Sequence, residues 1–237
     1  KLSTLEDCPV EADYSIVKAF TERSIYQSCY ELQSKKIDVL LLHRTDHLTA
    51  WLGAVWETVK QLKQCGVVGE IGVSVQTPEE VMLALKFEDV SFIQLPYNIL
   101  DHRWGAIIKT INKVRQQRKL TIHTRSALLQ GLLATTQCEL WHRAHCSNIA
   151  EVVSWLKNKA QQYTNGDVIE LCLRYVLSQS WIDGVVMGVD NQEQLLQNIL
   201  KTGKENWPER ILEKIADGLP LVSEKTLNPA NWKHNNA

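Results

Sequence analysis

The sequence lacks several features that mark particular classes of protein. Its net charge is only −1 at pH 7, which gives no electrostatic reason to expect a nucleic acid or an anionic membrane as a partner. No apolar run approaches the roughly 18 residues that a membrane-spanning helix needs. The first residues contain no apolar core of the kind found in signal peptides. We therefore expect no nucleic-acid partner and no membrane partner.

Cysteine, proline and glycine are also sparse. The six cysteines are scattered without a C-x-x-C pair, which favours reduced thiols and a cytoplasmic location. The 6 prolines and 11 glycines are spread out as well, and no stretch has the composition of an interdomain linker. The sequence therefore predicts a single domain over residues 1–237.

One cluster of potential metal ligands stands out. The segment CELWHRAHC places Cys138, His142, His145 and Cys146 within nine residues, and all four are residue types that bind zinc. Structural zinc sites usually show C-x2–4-C pairs, and this segment has none. We predict no metal site.

Apolar runs of two different periods alternate along the chain. Five short runs rich in β-branched residues lack in/out alternation, which is typical of strands buried on both faces of a parallel sheet. Between them lie segments with helical spacing, such as 55–62 and 168–176, and Asp167 is placed to cap the second. The pattern predicts an α/β fold with a parallel sheet covered by helices. The strand runs are IDVLLL at 37–42, EIGVSV at 70–75, VSFIQL at 90–95, LTIHT at 120–124 and DGVVMGV at 183–189.

The first of these runs ends in an unusual way. IDVLLLHRTDHL passes from a buried strand straight into His43, Arg44, Asp46 and His47. Either the strand has reached the surface, where His43 binds a local carbonyl group, or His43 stands where chemistry takes place. The local residues leave both interpretations open.

Six segments spread over nearly the whole chain belong together: KL at 1–2, IDVLLLH at 37–43, GVVGEIGVS at 66–74, IQLPYNILD at 93–101, SALLQGLL at 126–133 and LRYVLSQSWIDGVVMGVDNQEQLLQN at 173–198. In their order and spacing they resemble the aldo-keto reductase family. The resemblance implies a TIM (β/α)8 barrel, which has eight strands and ~250 residues. The five runs, with 1–2 as the end of another strand, make about six of the eight. We therefore expect an incomplete barrel whose first two βα units precede residue 1.

The resemblance also implies catalytic roles. The family reduces carbonyl groups with a hydride from a nicotinamide cofactor, and it uses an Asp, a Tyr, a Lys and a His. Active sites of barrels lie at the carboxyl ends of strands. By position, His43 takes the histidine role and orients the substrate oxygen, while Lys1 takes the lysine role and lowers the pKa of the tyrosine. The family's Asp and Tyr lie before Lys1, and none of the six tyrosines of this chain matches that position.

The nicotinamide end of the cofactor site is carried over residue by residue. Ser74 and Gln94 match the pair that hydrogen-bonds the nicotinamide carboxamide, which would explain polar side chains in apolar strand ends. Val75 stands where many members have Asn, so one donor is lost. Arg125 lies near the position where many members stack an aromatic ring, and Ser126 is assigned to the cofactor site with it. Arg125 either contacts the cofactor or forms a salt bridge on the barrel rim.

The adenosine end departs from the family pattern. Many members bind the 2′-phosphate of NADP with a Lys at the end of the last strand and an Arg in the following helix. The matching residues here are Gly188 and Gln194, so both charges are missing. Asp190 is placed to accept hydrogen bonds from ribose hydroxyls, and Asn198 matches a position near the adenine. We expect NADP or NAD as the cofactor, with the preference between them open.

Two functions agree with these observations. The first is an NAD(P)-dependent oxidoreductase that reduces aldehydes or ketones, with a small-molecule carbonyl compound as substrate. The alternative is a non-catalytic family member, a binding or regulatory domain of the kind that is fused to an upstream domain. The missing charges at Gly188 and Gln194 favour the second. An Asp followed closely by a Tyr in the region before Lys1 would favour the first.

Overall fold

The computed structural model describes residues 1–232, and its five strands form one parallel sheet in the order in which they occur along the chain. Among the described residues the sheet stays open and does not close into a barrel. The first predicted strand matches the observed one residue for residue, whereas the last is shorter than expected, because the chain from Val186 onward is mostly exposed. The strands are β1 Ile37–Leu42, β2 Val68–Ser74, β3 Val90–Pro96, β4 Thr121–Arg125 and β5 Gly184–Val185.

Helices connect the strands and continue after the last one. Within residues 1–232, no helix has both the length and the apolar character needed to cross a membrane. The helices are α1 Tyr14–Glu31, α2 Ala54–Gln64, α3 Pro78–Ala84, α4 Gly105–Arg115, α5 Cys138–Arg143, α6 Ile149–Thr164, α7 Val168–Leu177, α8 Gln192–Thr202, α9 Glu209–Ala216 and α10 Glu224–Leu227.

The sixth strand expected at residues 1–2 is represented by a single backbone hydrogen bond. The amide of Leu2 donates to the carbonyl oxygen of Leu41 in β1 at 2.9 Å, and the Leu2 side chain is buried. The segment thus lies along β1 as a neighbouring strand would, although it has no regular strand structure.

The described chain divides into two compact units. The first comprises residues 1–95 and 104–123, and the second comprises 96–103 and the described residues from 124 onward. The single domain over 1–237 stays a prediction.

In the first unit, strands β1, β2 and β3 are parallel and fix the position of the strand ends. Leu42 pairs with Val73, and Val73 in turn pairs with Ile93, so these three residues lie side by side. All three are fully buried, as the continuous apolar runs predicted. Helix α2 packs against β2 and α1 packs against α2.

In the second unit, the apolar stripe of α7 is buried as predicted, and Asp167 accepts a hydrogen bond from the amide of Glu170 as its N-cap. Tyr97 stacks on Tyr175 and meets the Trp181 ring edge to face, at 5.2 Å between centroids. Helix α8 differs from α7, because it has no buried residue and exposes a whole apolar face of Leu195, Leu196, Ile199 and Leu200.

A buried ionic cluster joins α7 to the segment after α8. The Glu170 carboxylate, in a residue only 6% exposed, accepts hydrogen bonds from Arg174 at 3.2 Å and from Lys204 at 2.7 Å. The Arg174 guanidinium also donates to the Glu205 carbonyl oxygen at 2.9 Å and lies 4.2 Å from the centre of the Trp207 ring. Glu170 therefore pairs with two cations that hold residues 204–207 against α7.

We expect Glu170→Gln to lower the free energy of unfolding by about 1.5 kcal/mol, because hydrogen bonds to charged groups contribute about 1.5–3 kcal/mol and Lys204 is half exposed. Urea titrations followed by tryptophan fluorescence measure this change. The control is Glu193→Gln, the same substitution at an exposed position of α8, which should change stability by less than about 0.5 kcal/mol. Equal effects of the two substitutions would contradict the structural role of Glu170.

Candidate functional site

Three polar residues stand side by side at the carboxyl ends of neighbouring strands. Ser74 of β2 pairs with Gln94 of β3, one residue beyond the pair Val73 and Ile93. His43 directly follows Leu42, which pairs with Val73. His43, Ser74 and Gln94 therefore form one row across β1, β2 and β3, which we call the polar row.

Lys1 joins the polar row through its side chain. The Lys1 ammonium donates a hydrogen bond to the Ser74 hydroxyl, with 3.1 Å between Nζ and Oγ. The backbone bond from Leu2 to Leu41 holds the Lys1 segment against β1. The fold thus brings together all four residues that the sequence assigned to catalysis and to the nicotinamide: Lys1, His43, Ser74 and Gln94.

The members of the polar row differ in burial and in available hydrogen-bonding groups. Ser74 and Gln94 are each only 7% exposed, whereas His43 is exposed. Within residues 1–232, neither the Gln94 amide nor the His43 ring makes a hydrogen bond, so the local carbonyl partner considered for His43 is not observed. The Gln94 amide is therefore available to hydrogen-bond a ligand.

The loop after β4 has an unusual backbone. Arg125 is half-buried, and its carbonyl oxygen accepts from the Tyr97 amide at 3.0 Å. Ser126, Leu129 and Gln130 adopt left-handed φ angles of 64°, 47° and 54°, which costs non-glycine residues roughly 1 kcal/mol or more each. Such residues concentrate where a loop meets a ligand. The sequence had predicted a cofactor role for Arg125 and Ser126 from the resemblance, but it gave no signal for this conformation.

The residues assigned to the adenosine end form a closed local arrangement at the start of α8. The Asp190 amide donates to Oε1 of Gln194 at 2.8 Å, and the Gln194 amide group donates back to Oδ2 of Asp190 at 3.3 Å. The backbone amide of Gln194 donates to the side chain of Asn191, the N-cap of α8, at 2.9 Å. Gln194 thus contributes to the capping of α8, and one Asp190 oxygen is already engaged.

The other two residues of this end leave space for a ligand or for a larger side chain. Gly188 is exposed, its φ lies outside the left-handed region, and a Cβ added there would meet no atom within 4 Å. Asn198 is half-buried in α8. A longer side chain at Gly188 therefore requires no rearrangement of its neighbours.

A cavity of about 480 Å³ opens beside Lys1 in the first unit. It is lined by the N-terminal segment and by one face of α1, including Lys1, Thr4, Phe20, Arg23 and Gln27, and its lining includes none of His43, Ser74 and Gln94. This cavity therefore approaches the polar row only through Lys1.

The cysteine–histidine cluster of α5 shows ordinary packing. Cys138 is exposed, Cys146 is buried with its sulfur 3.7 Å from Oδ1 of Asn148, and His145 contacts the Asn231 carbonyl oxygen at 3.1 Å. No group of three or more His, Cys, Asp or Glu residues in the described part of the chain is arranged to hold a metal ion.

Comparisons with known proteins relate most of the chain to one family. The model of the Aldo/keto reductase family matches residues 6–209. Among curated proteins, the uncharacterized oxidoreductase YqkF of Bacillus subtilis is 22% identical over 199 residues, which are 77% of this chain and 60% of that protein. The chain therefore spans less than two thirds of the length of this relative.

Solved structures show the same fold. The holo form of an aldo-keto reductase from Bacillus halodurans matches with a TM-score of 0.68 and 22% identity, over 89% of this chain and 71% of that one. A glycerol dehydrogenase from Gluconobacter oxydans matches with a TM-score of 0.62 and 18% identity, over 90% of this chain and 66% of that one. At these identities the likeness shows the fold alone, and it confirms the predicted α/β architecture of TIM-barrel type.

Proposed function

The chain belongs to the aldo/keto reductase family, and from that premise we propose that it binds a nicotinamide dinucleotide and serves the NAD(P)-dependent reduction of aldehydes or ketones to alcohols. The observation that carries the proposal is the polar row, in which a lysine ammonium, a serine hydroxyl and a glutamine amide meet at the carboxyl ends of parallel strands. Binding sites of barrels lie at this edge of the sheet.

The polar row fits the nicotinamide end of such a cofactor. A carboxamide has both a donor and an acceptor, and so do the Ser74 hydroxyl and the Gln94 amide. Both side chains are mostly buried, where hydrogen bonds to a ligand face little competition from water. When bound, the cofactor supplies the hydride that reduces the carbonyl carbon.

His43 and Lys1 would orient the carbonyl oxygen of the substrate and stabilise negative charge. The exposed His43 ring makes no hydrogen bond among the described residues, so it is available to hydrogen-bond and orient a carbonyl oxygen. The Lys1 ammonium beside Ser74 favours the anionic form of an acidic group placed next to it, and so lowers that group's pKa. The free thiols of all six cysteines support a reducing, cytoplasmic setting.

We expect NADH and NADPH to bind with comparable affinities. The residues at the two positions that would supply cations for the 2′-phosphate are Gly188 and Gln194, and the Gln194 side chain is engaged with Asp190. Quenching of the fluorescence of the eight tryptophans during titration with each dinucleotide measures both dissociation constants. A preference for NADPH above about a hundredfold, ~2.7 kcal/mol, would show that another group binds the phosphate.

A gain-of-charge variant sharpens this test. Gly188→Lys should raise the affinity for NADPH relative to NADH about tenfold, because a single charge-assisted hydrogen bond contributes about 1.5–3 kcal/mol. The matched control is Gly105→Lys, which adds the same charge at an equally open position at the start of α4. If the ratio of the NADPH and NADH dissociation constants is the same in Gly188→Lys as in the parent, the 2′-phosphate does not bind near residue 188.

A non-catalytic nucleotide-binding domain is the second candidate function. It is favoured by the lack of a cationic side chain at Gly188 and Gln194, the two positions that would bind the 2′-phosphate, and by the engagement of Gln194 with Asp190. Dinucleotide binding without reduction of any compound in a panel of aliphatic and aromatic aldehydes would favour this second function. Reduction of even one of them would favour the first.

A further inference from the structure

His47 is a buried histidine that does not belong to the polar row. It lies on the short 3-10 turn Thr45–Leu48 that follows β1, and it is 3% exposed. Its Nε2 lies 3.2 Å from the carbonyl oxygen of Thr4. Its Nδ1 is buried and has no hydrogen-bond partner in residues 1–232.

These contacts fix the protonation state of the ring. A carbonyl oxygen only accepts hydrogen bonds, so Nε2 must carry the proton and Nδ1 is the bare nitrogen of a neutral imidazole. A second proton would have to go to Nδ1, where it would form a buried charge whose N–H has no acceptor among the described residues. The observed bond to Thr4 is therefore a bond of the neutral ring.

This bond connects the two segments that carry Lys1 and His43. Thr4 lies three residues after Lys1, whose ammonium binds Ser74, and Leu2 between them binds Leu41. The turn that carries His47 begins two residues after His43. Among the described residues, the ring of His47 is thus a direct link between the Lys1 segment and the loop that starts at His43.

We propose that neutral His47 is a positioning residue that latches the Lys1 segment to the His43 loop, and that protonation of Nδ1 from solvent opens this latch. The inference rests on the proposed function in one respect, because the latch bears on carbonyl reduction only if Lys1 and His43 have the roles given above. The latch itself is a property of the fold.

The charged groups around His47 set the direction of its titration. Burial is the largest effect and lowers the pKa of His47 below its usual value of 6.5. Arg44 and His43 lower this pKa further, whereas the bond to Thr4 and the Asp46 carboxylate raise it. Other elements packed against the turn carry charges that largely have partners of their own. These are Lys1 with Ser74, Glu6 with Arg44, Glu57 with Lys60, Lys63 with Asp89, Glu80 with the Gln76 amide and Asp38 with Lys36; Glu79 of α3 also has a partner.

The sign of the pH dependence follows from this lowered pKa. The native state binds fewer protons at His47 than the unfolded state does at pH values below 6.5. The latch and its contribution to stability are therefore complete above pH 6.5, and both are lost as the pH falls through the lower folded-state pKa.

Amide hydrogen exchange at Leu2, corrected for the intrinsic rate, tests the proposal directly. In the parent protein the protection of Leu2 should fall about tenfold or more between pH 7.5 and pH 5, because the latch opens as Nδ1 is protonated. In His47→Gln, which keeps an N–H donor for Thr4 but does not titrate, it should change less than twofold. The control His142→Gln alters an exposed histidine of α5 and should behave as the parent.

Two results would overturn the latch. One is Leu2 protection that does not depend on pH in the parent, and the other is the same dependence in His47→Gln. If His47→Gln does not fold, nitrogen NMR of the parent imidazole decides instead, because an Nδ1–H tautomer at pH 7.5 or a midpoint above 6.5 would contradict the proposal. NADPH titrations on the same samples distinguish the latch from the proposed function. If Leu2 protection shows the expected pH dependence but NADPH does not bind, the proposed function is contradicted and the latch is not.

Discussion

His43→Ala is expected to lower kcat for carbonyl reduction by about 10²-fold in the full-length protein. A positioned side chain that handles the reacting group contributes typically about 10²–10⁴-fold, and His43 is the exposed member of the polar row. Steady-state kinetics with the best aldehyde of the panel measure the change. Because the imidazole makes no hydrogen bond within residues 1–232, its removal should leave the free energy of unfolding within about 0.5 kcal/mol of the parent.

The control for this substitution is His142→Ala, which removes an exposed imidazole from α5. It should leave kcat within twofold of the parent. A His43→Ala variant with activity in that same range would return His43 to the interpretation of a surface residue at a strand end.

Gly72→Ala should destabilise the protein by about 3 kcal/mol, the upper end of the usual cost of overpacking. Gly72 lies in the middle of β2 with a strand on each side. An added Cβ would collide with the Phe92 carbonyl oxygen and lie 2.5 Å from Cδ2 of Leu41. Backbone atoms in the centre of a sheet cannot move aside cheaply, so the cost should appear in full in urea titrations.

Gly105→Ala is the matched control for Gly72→Ala. Gly105 begins α4, and a Cβ there would meet no atom within 4 Å. Because alanine is favoured over glycine in helices by about 0.8–1 kcal/mol, this variant should be as stable as the parent or slightly more stable. A Gly72→Ala variant as stable as Gly105→Ala would contradict the observed pairing of β1, β2 and β3.

The strands were predictable because burial on both faces of a parallel sheet leaves a local signal. IDVLLL is bounded by polar residues on both sides, and β1 has the bounds of that run. The last run, DGVVMGV, is also rich in valine, but β5 is only two residues long. Val186 and Val189 are exposed, so the packing that would extend the strand is absent, and local sequence does not report packing.

Charged side chains were harder to place than apolar ones. Asp167 caps α7 as predicted, whereas nothing in the sequence around Glu170 indicates that its carboxylate binds Arg174 and Lys204. The basic run KTINKVRQQRK at 109–119 has the pattern of a solvated helix face. Arg118 within it instead donates to the carbonyl oxygens of Leu85 and Glu88. A long side chain finds such partners only in the folded protein, so its sequence context does not reveal them.

The candidate site also contains residues that the sequence predicted and residues that it did not. The polar row was predictable, because residues that end neighbouring parallel strands meet at one edge of the sheet. The roles at Gly188, Asp190, Gln194 and Asn198 came from family resemblance alone, and the structure adds that Gln194 helps to cap α8. His47 gave no signal, since its burial depends on a segment more than 40 residues away.

The central claim is that the polar row holds the nicotinamide end of a dinucleotide, and one titration tests it most directly. We would measure the dissociation constants of NADH and NADPH for the parent and for Gln94→Leu, with Gln116→Leu at the exposed C-cap of α4 as the control. Leucine fits the apolar strand end but cannot hydrogen-bond a carboxamide. Gln94→Leu should weaken the binding of both dinucleotides about tenfold, ~1.4 kcal/mol, without lowering the free energy of unfolding, while Gln116→Leu binds as the parent. Equal affinities for parent and Gln94→Leu would contradict the account.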